Sequence, residues 1–596
     1  MANLLTSFNA GVSGLKSAQA SLNTTSHNLA NAQTKGYTRQ QVIVSDSFYQ
    51  NTLGAHNNVI QVGTGTVIVK TRQIRNTFLD EQYRLQVGRQ GFYEANQKAT
   101  LEIEDMLGEL QGQEFSAGIN DLYNALSSLG NVKPDSIVIK EQVVSVASQF
   151  VERAKVVQGQ LNTYQTSLNM EVKKQVDQIN DIVTEIKALN KQIQKYEANG
   201  ESANDYRDKR NEYLDQLGEM INFEVKEEKD GTIAIYTEGA YLLDATRQYF
   251  LTTEYESSTS RLLKPVWESG GDYFRNDSLK FSTSNNTDVG SLRGILVARG
   301  SYAANYTNMP VKPKEEDYRN ADGGLDRKAY VNAMSQYSKD LEAYNDSVGA
   351  SVVMKVQSQL DTLVHGIVTL INDGFCPNKE LTLADGSTIR VLDEDKAFIG
   401  DDEYKTMGTE LFTRRNCERY TKETVTVTLD DGTQDSIEVY RYNEEDPEDV
   451  YSLYTINQLE INPVLLKDCS TLPVKFNDKS DAHNSYAHDE MREIAERMHN
   501  KIGSLTPDSM SSYNSFDFYT NMVTDLATQG DVWNGIIENQ ELTVATADTE
   551  RQNVMGVSSE EELAELIKFQ RCYDASSRYI TTVAEMLEYL IERLGG

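Results

Sequence analysis

The chain has 596 residues, 39% hydrophobic and 9% aromatic, enough for several folded cores and about 3–5 domains. A formal charge of −33 excludes a nucleic-acid partner, whose phosphates would repel it. Four dispersed cysteines (Cys376, Cys417, Cys469, Cys572) without a CxxC argue against a metal site or a disulfide framework, and no run of about 18 apolar residues is present to insert in a membrane.

The first residues lack the basic and apolar regions of an ordinary secretory signal. Residues 3–32 are expected to be helical. Phe8, Leu15, Leu22 and Leu29 recur at period seven on one helix face, which needs a second helix to cover it. A parallel column, Leu5 and Val12, fades into Gln19 and Ser26, so the stripe narrows. The helix is expected to close near Lys35-Gly36, where glycine can turn left-handed. Residues 58–72 alternate and suggest a short hairpin around Gly63 and Gly65. They lack the third glycine of a dinucleotide loop.

Helical spacing dominates from about 75 to 220. Its clearest part runs through Leu161, Leu168, Val172, Gln175, Ile179, Ile182, Ile186, Leu189, Ile193 and Tyr196, a rod of about 54 Å. At Phe223 the period becomes two. Strand-like runs flank Asp230-Gly231, Asp385-Gly386 and Asp431-Gly432, pairs that suit two-residue hairpin turns. Residues 301–349, with Pro310, Pro313 and Gly323-Gly324, read as an insertion bearing a helix near 327–345, and 350–373 return to helical spacing. From about 485 the chain reads as helical again, with Tyr519, Leu526, Trp533, Ile537, Val544 and Ala547 on one face. Gly556 is expected to end that helix. Ser558 with Glu561, or Ser559 with Glu562, offers a capping box for the last one. That last helix repeats the opening pattern: Leu566, Tyr573, Ile580, Leu587 and Leu594 stand seven apart.

The two ends also differ in charge. Residues 1–45 hold Lys16, Lys35 and Arg39 and no acid, whereas 557–596 hold eight acids and four bases. Little in the chain suggests catalysis. The six histidines show no ligand spacing, the acidic run 444–449 lacks the spacing of a calcium loop, and hydrolase, zinc-protease and phosphate-loop motifs are absent. No enzyme activity, cofactor or metal is expected. A wall-cutting glycosidase stays a remote alternative, since so acidic a chain has many carboxylates.

Segment 27–39, HNLANAQTKGYTR, resembles the Asn-x-x-Asn…Thr-x-Gly-Tyr signature of bacterial flagellar rod, hook and hook-associated proteins, with Asn28, Asn31, Thr34, Gly36 and Tyr37 in place. Asn28 and Asn31 could bond between helices or merely cap the first one. The C-terminal stretch is similar to the hook–filament junction members of that family: Gly556-Val557, the paired acids Glu561 and Glu562, then Phe569, Gln570 and Tyr573. Stretches 203–225, 290–296 and 459–468 agree, so the likeness covers both ends and anchors the middle. The chain departs from the family in segment 301–349, in Lys35 where proline is common, and in its four cysteines.

The resemblance implies a structural adaptor between hook and filament, located outside the cell in the flagellum and exported without a cleaved signal peptide. An export chaperone, hook protein and the next junction protein are the implied partners, with copies of the chain forming a homo-oligomeric helical array. Hook protein itself, or a flagellin-like chain, is the alternative. The expected fold is α+β, elongated and multi-domain. Residues 1–40 and 556–596 would pair as a coiled-coil stalk and assembly domain. Residues 41–222, 350–375 and 485–555 would form a helical rod, 223–300 and 376–484 β-rich outer domains, and 301–349 an insertion. The nine column residues would form the assembly interface. With only each other to pack on, both ends are expected to be disordered in the monomer and to fold on assembly.

Overall fold

The structure, a computed structural model, describes residues 2–34, 36–53, 59–107, 115–131, 135–275, 278–319, 324–428, 434–477 and 485–594. It is an elongated α+β molecule with helices at both ends and strands in the middle. Helix α1 (Ala2–Ala30) is followed by β1 (Gln40–Asp46), β2 (Tyr49–Leu53), β3 (Val59–Gly63) and β4 (Thr66–Gln73). β1 pairs with β4 and β2 with β3, so these strands form one long ribbon. The hairpin expected within 58–72 is not formed. β3 and β4 lie in sequence on the same return arm, and their alternation is that of one extended arm. Gly65 between them, at φ +121°, serves a close approach instead: a Cβ there would stand 2.1 Å from Ser13 Oγ on α1.

Three helices, α2 (Thr77–Leu107), α3 (Phe115–Asn131) and α4 (Ile137–Glu197), lead into the rod. α4 has 61 residues, which at 1.5 Å per residue is about 90 Å. Its buried stripe includes Val143, Phe150, Leu161, Val172, Ile179, Ile186 and Ile193, as the spacing predicts, and it extends further towards the N-terminus than the sequence pattern alone marked. Two cores are strung along it. On its C-terminal half pack α5 (Asn204–Met220), β5 (Glu224–Glu227), β6 (Ile233–Thr237), β7 (Ala240–Leu243), β8 (Leu251–Tyr255), β9 (Leu263–Trp267) and α6 (Ser291–Arg299). The insertion carries α7 (Arg327–Asp346), within a residue of expectation, and α8 (Val352–Phe375) follows.

The second β region contains β10 (Asn378–Thr382), β11 (Thr388–Leu392), β12 (Phe398–Ile399), β13 (Phe412–Arg414), β14 (Tyr420–Thr428), β15 (Gln434–Tyr442), β16 (Leu459–Ile461), the short α9 (Pro463–Lys467) and β17 (Lys475–Phe476). Its main sheet has the order β10-β11-β15-β14, and a bridge from Leu383 to Val427 brings its two edges together. Residues of this region join α3, α8 and the N-terminal half of α4 in one core, with α10 (His488–Glu496) and α11 (Ser515–Met555). β18 (Lys501–Gly503) and β19 (Tyr513–Asn514) interrupt the helical run expected after 485. Along α11, Tyr519, Leu526 and Ile537 are buried, as their spacing predicts.

The aspartate–glycine turns differ in detail from expectation. Gly231 and Gly386 take positive φ, of +81° and +85°, while Asp230 and Asp385 do not. Each aspartate instead accepts the backbone N–H two residues on, at 3.1 Å from Thr232 and 2.9 Å from Ser387. The Asp431-Gly432 turn lies outside the described residues, although β14 and β15 on either side pair throughout.

Finally α12 (Ser559–Leu594) returns along α1. The expectation of disordered ends is not what the structure shows: both are helices, and each covers part of the other. The reason lies in polar contacts that apolar spacing does not reveal. Among the described residues no helix is long and apolar enough to cross a membrane.

Candidate assembly interface

α1 and α12 run antiparallel. Gly11 stands opposite Ile580 and Tyr579, Gly14 opposite Ser576, and Asn28 opposite Glu562. On α12 the column Leu566, Tyr573, Ile580 and Leu587 is half-buried, joined by Phe569 and the buried Val583. On α1 the buried residues are Gly11, Ala18, Ser21, Thr25 and Asn28. Phe8, Leu15, Leu22 and Leu29 flank this seam and are half-buried. The pairing surface of α1 is thus a line of small residues, spaced seven, three, four and three apart, which lets the backbones approach. Sequence reading passed over it because small residues carry little hydrophobic signal. Leu594 ends α12, and its side chain lies outside the described residues. A Cβ on Gly11 would sit 2.9 Å from Ile580 Cγ1 and 3.0 Å from Tyr579 Cδ1. Gly11→Val is therefore expected to weaken the pair by about 1–3 kcal/mol, read as an earlier helical melting step by circular dichroism.

The ends of the two helices are tied by a buried node. Asn28 uses all four of its hydrogen-bonding positions. Its amide donates to Gln40 O (2.9 Å) and Glu562 Oε2 (3.0 Å), and its oxygen accepts from Tyr37 OH (2.8 Å) and Gln40 N (3.0 Å). Arg39 Nε reaches the other Glu562 oxygen at 2.6 Å, and its Nη1 lies 3.4 Å from Glu561. Burial first, then Asp208, Asp205 and Glu562, push the Tyr37 hydroxyl far above its ordinary range, so it stays a donor. Asn31 does the capping: it donates to His27 O at 3.0 Å and accepts from Thr34 Oγ1 at 3.2 Å. Gly36 turns left-handed at φ +80°, as expected of a chain reversal after the helix.

At the C-terminal motif, Gly556 closes α11 with its N–H on Gln552 O at 2.7 Å. A Cβ there would meet the same oxygen at 2.5 Å. Val557 is half-buried and Gln570 exposed. Of the two possible capping boxes, Ser558 Oγ accepts from Glu561 N at 3.4 Å, while Glu562 turns inward to the node.

A belt of arginine–carboxylate pairs then ties α2, α5 and α11 together beside the terminal pair. Arg75 holds Asp80 (2.6 Å), Arg84 holds Asp215 (2.8 Å), and Arg551 bridges Asp215 (2.7 Å) and Asp548 (3.0 Å) with its guanidinium 3.9 Å over the Tyr83 ring. Asp208, on α5, accepts from Thr38 N (3.3 Å) and Gln73 Nε2 (2.7 Å). Burial pushes its carboxyl up to about 6, against the hydrogen bonds of Thr38 and the charge of Arg75. A carboxyl raised in the fold favours the neutral form, so its stabilising contribution is complete in acid and is lost as pH rises through about 6. The joint is expected to lose about 2–3 kcal/mol from this group between about pH 4 and 7, at about 1.4 kcal/mol per pKa unit. Urea melts of the wild type and Asp208→Asn across that range check it, the variant losing this group's share of the pH slope.

Among the described residues no group of three or more His, Cys, Asp or Glu could hold a metal ion. The residues that converge here bind and orient; they form a joint between helices.

Comparison with known proteins agrees with that reading. The chain matches the family "Flagellar hook-associated protein FlgK helical domain" over residues 100–373, "Flagellar basal body rod FlgEFG protein C-terminal" over 551–593 and "Flagella basal body rod protein" over 8–38. It is 33% identical to flagellar hook-associated protein 1 of Bacillus subtilis over 224 residues, 37% of this chain and 44% of that protein, so the match spans less than half of that relative. It is 23% identical to the Escherichia coli protein of the same name over 606 residues, 98% of both chains. The fold is similar to that of the flagellar hook junction protein FlgK from Burkholderia pseudomallei, with a TM-score of 0.50 and 10% identity over 80% of this chain and 100% of that one. Paired terminal helices jointed to a helical rod, together with these matches, define an axial structural protein of the bacterial flagellum. More narrowly, the matches are to flagellar hook-associated protein 1 (FlgK), and they support a structural protein of the hook–filament junction. The hook-protein and flagellin alternatives are not favoured.

Proposed function

We propose that the chain is a non-enzymatic adaptor that joins hook to filament and assembles through α1 and α12. The observation that carries this reading is the half-covered state of that pair. Leu5 on α1 and Leu563, Ile567, Tyr579, Met586, Tyr589 and Ile591 on α12 are each 47–63% exposed, although they sit on helices whose other faces are packed. Exposed apolar side chains gathered on one element mark a surface for a partner. Copies of the same chain would cover them head to tail, which propagates a helical array. Phe8, Leu15, Leu22 and Leu29, half-buried beside the α12 contact, would complete their burial there. Hook protein would lie on one side and the next junction protein on the other. The β-rich parts and the 301–349 insertion would face outward from a tube of terminal helices. The protein would act outside the cell after export without a cleaved signal, with an export chaperone, and without cofactor or metal.

Deleting the coding region tests the role: cells are expected to carry hooks without filaments and to shed flagellin into the medium. Filaments of normal length on the deleted strain contradict it. The remote glycosidase reading is tested by clearing of cell-wall suspensions, where no loss of turbidity is expected.

A further inference from the structure

The ribbon β1–β4 is a second apolar surface of the terminal region. One side of it lies on α1. Thr66 N donates to Ser13 Oγ at 3.0 Å, the Thr66 and Ser17 hydroxyls are 3.0 Å apart, and Thr6 Oγ1 donates to Gln50 Oε1 at 3.3 Å. Side chains alternate across a strand, so Tyr49 and Val67, the neighbours of Gln50 and Thr66, point the other way. Val59 shares that outer side: Tyr49 pairs with Gly63, and Val59 stands four residues before Gly63 on the same strand. Tyr49, Val59 and Val67 are 49–65% exposed, and Val69, the extra residue of a bulge beside them, is 52% exposed.

This face is held in place. At the ribbon's base Asn28 bonds both backbone groups of Gln40, and Asn204 Nδ2 reaches Gln40 Oε1 at 3.1 Å and Thr71 O at 3.3 Å. Gln73 Nε2 donates to Asn204 O at 2.9 Å. A surface ordered before it binds gives up little freedom on binding.

The chemistry of the terminal region names the occupant. The exposed stripe of α12, with Tyr579, Met586 and Tyr589, needs an apolar cover from another copy. The free side of α1 does not offer one: from Asn9 to Ser26 its exposed residues are Asn9, Lys16, Gln19, Asn23 and Ser26, all polar. The outer face of the ribbon does. Charge agrees with that pairing. Residues 40–73 hold one acid and two bases (Asp46, Lys70 and Arg72), whereas 579–593 hold Glu585, Glu588 and Glu592 against Arg593. Opposite signs favour ribbon on α12 over either surface on its own kind. The two surfaces also flank one stretch of α1. The ribbon meets it at Thr6, Ser13 and Ser17, and α12 meets it at Gly11 and Gly14. Each copy thus presents both halves of a head-to-tail contact at the same level.

We propose that the outer face of the ribbon is the cover of α12 in a second copy of the chain: Tyr49, Val59 and Val67 pack on Tyr579, Met586 and Tyr589 of the next molecule, with the exposed Lys70 beside its glutamates. This contact rests on the assembly of copies through the terminal helices and adds to it the surface that receives α12.

Photo-crosslinking at the hook tests it. Full-length chain with a benzophenone amino acid in place of Val59 or Val67 is bound, together with isotope-labelled wild type, to hooks from cells lacking the coding region. After irradiation, adducts are expected on labelled peptide 579–593, the tryptic fragment between Arg578 and Arg593. Adducts only on hook protein, only on unlabelled 579–593, or none at all overturn the proposal. Val67→Asp is expected to lower incorporation at least about tenfold, since a charge would be buried in the contact, and to leave the melting of the free chain unchanged. Footprinting of wild type separates this contact from the assembly it rests on. Tyr49 is expected to become protected at the hook together with Tyr579, Met586 and Tyr589. Protection of the three α12 residues with Tyr49 still reactive defeats the ribbon contact and leaves assembly through α12 standing; no protection of either set defeats both.

Discussion

Ile567→Asp and Met586→Asp are each expected to lower incorporation at the hook at least about tenfold while leaving the isolated chain as stable as the wild type. Both side chains are half exposed, 51% and 52%, on α12, so the single molecule loses little when they become charged. Exposed substitutions of this kind stay within about 0.5 kcal/mol. In an array the same positions would be covered, and each copy would forfeit about 2 kcal/mol of apolar burial and take on a desolvated charge. Leu587→Asp is the instructive contrast. Leu587 is half-buried already, one heptad beyond Ile580, which stands opposite Gly11 of α1. Its replacement is expected to destabilise the pair itself by about 1–3 kcal/mol as well as blocking incorporation. Leu22→Asp should behave in the same way. Thermal melts of the purified variants, paired with counts of filaments on complemented cells, separate the two behaviours.

Glu562→Ala is expected to uncouple the terminal helices from each other and from the rod, at a cost of about 2–4 kcal/mol. Glu562 is only 2% exposed, and its two oxygens satisfy Arg39 and Asn28. Removing it leaves a guanidinium that is a quarter exposed and an amide donor that is buried. The guanidinium can recover part of its loss from water, so the larger share of the penalty falls on Asn28. Glu562→Gln keeps an acceptor oxygen for one of the two donors and sets its own amide N–H against the other, and about 1–2 kcal/mol is expected for it. Because Asn28 also organises Tyr37 and Gln40, the loss should spread into the 31–40 turn. Hydrogen exchange of residues 24–40 reads this, with faster exchange in Glu562→Ala than in Glu562→Gln.

The parts legible in sequence were those written as apolar periodicity. α4 could be read from its stripe because a buried helix repeats its side chains every three or four residues, and α7, α8 and α11 likewise. On α12 the members Leu566, Tyr573, Ile580 and Leu587 of the column are half-buried, and Ile580 stands opposite Gly11 of α1. The ribbon β1–β4 was harder, since alternation marks extended chain but not which arm it pairs with; Gly63 and Gly65 looked like a turn, and Gly65 proved to be the place where the ribbon touches Ser13. The seam on α1 was invisible because Gly11, Ala18, Ser21 and Thr25 bury without being apolar in the usual sense. Arg39 and Glu562 lie 523 residues apart, and nothing in local pattern can pair two charges over that distance. The opposite charge of the two ends was the trace they left. The family signature marked Asn28, Asn31 and Tyr37 without giving their roles. The structure divides them: Asn28 bridges the helices, and Asn31 caps.

The central claim is that the flanks of the α1–α12 pair are open in the single chain and covered on assembly. Hydroxyl-radical footprinting addresses it directly, because Tyr579, Met586 and Tyr589 are oxidisable and exposed, while Tyr404 and Met510 serve as exposed references away from the terminal pair. All five are expected to react in the isolated chain, and only the three on α12 to become protected once the chain is bound at the hook. Terminal side chains that react equally in both states would contradict the account.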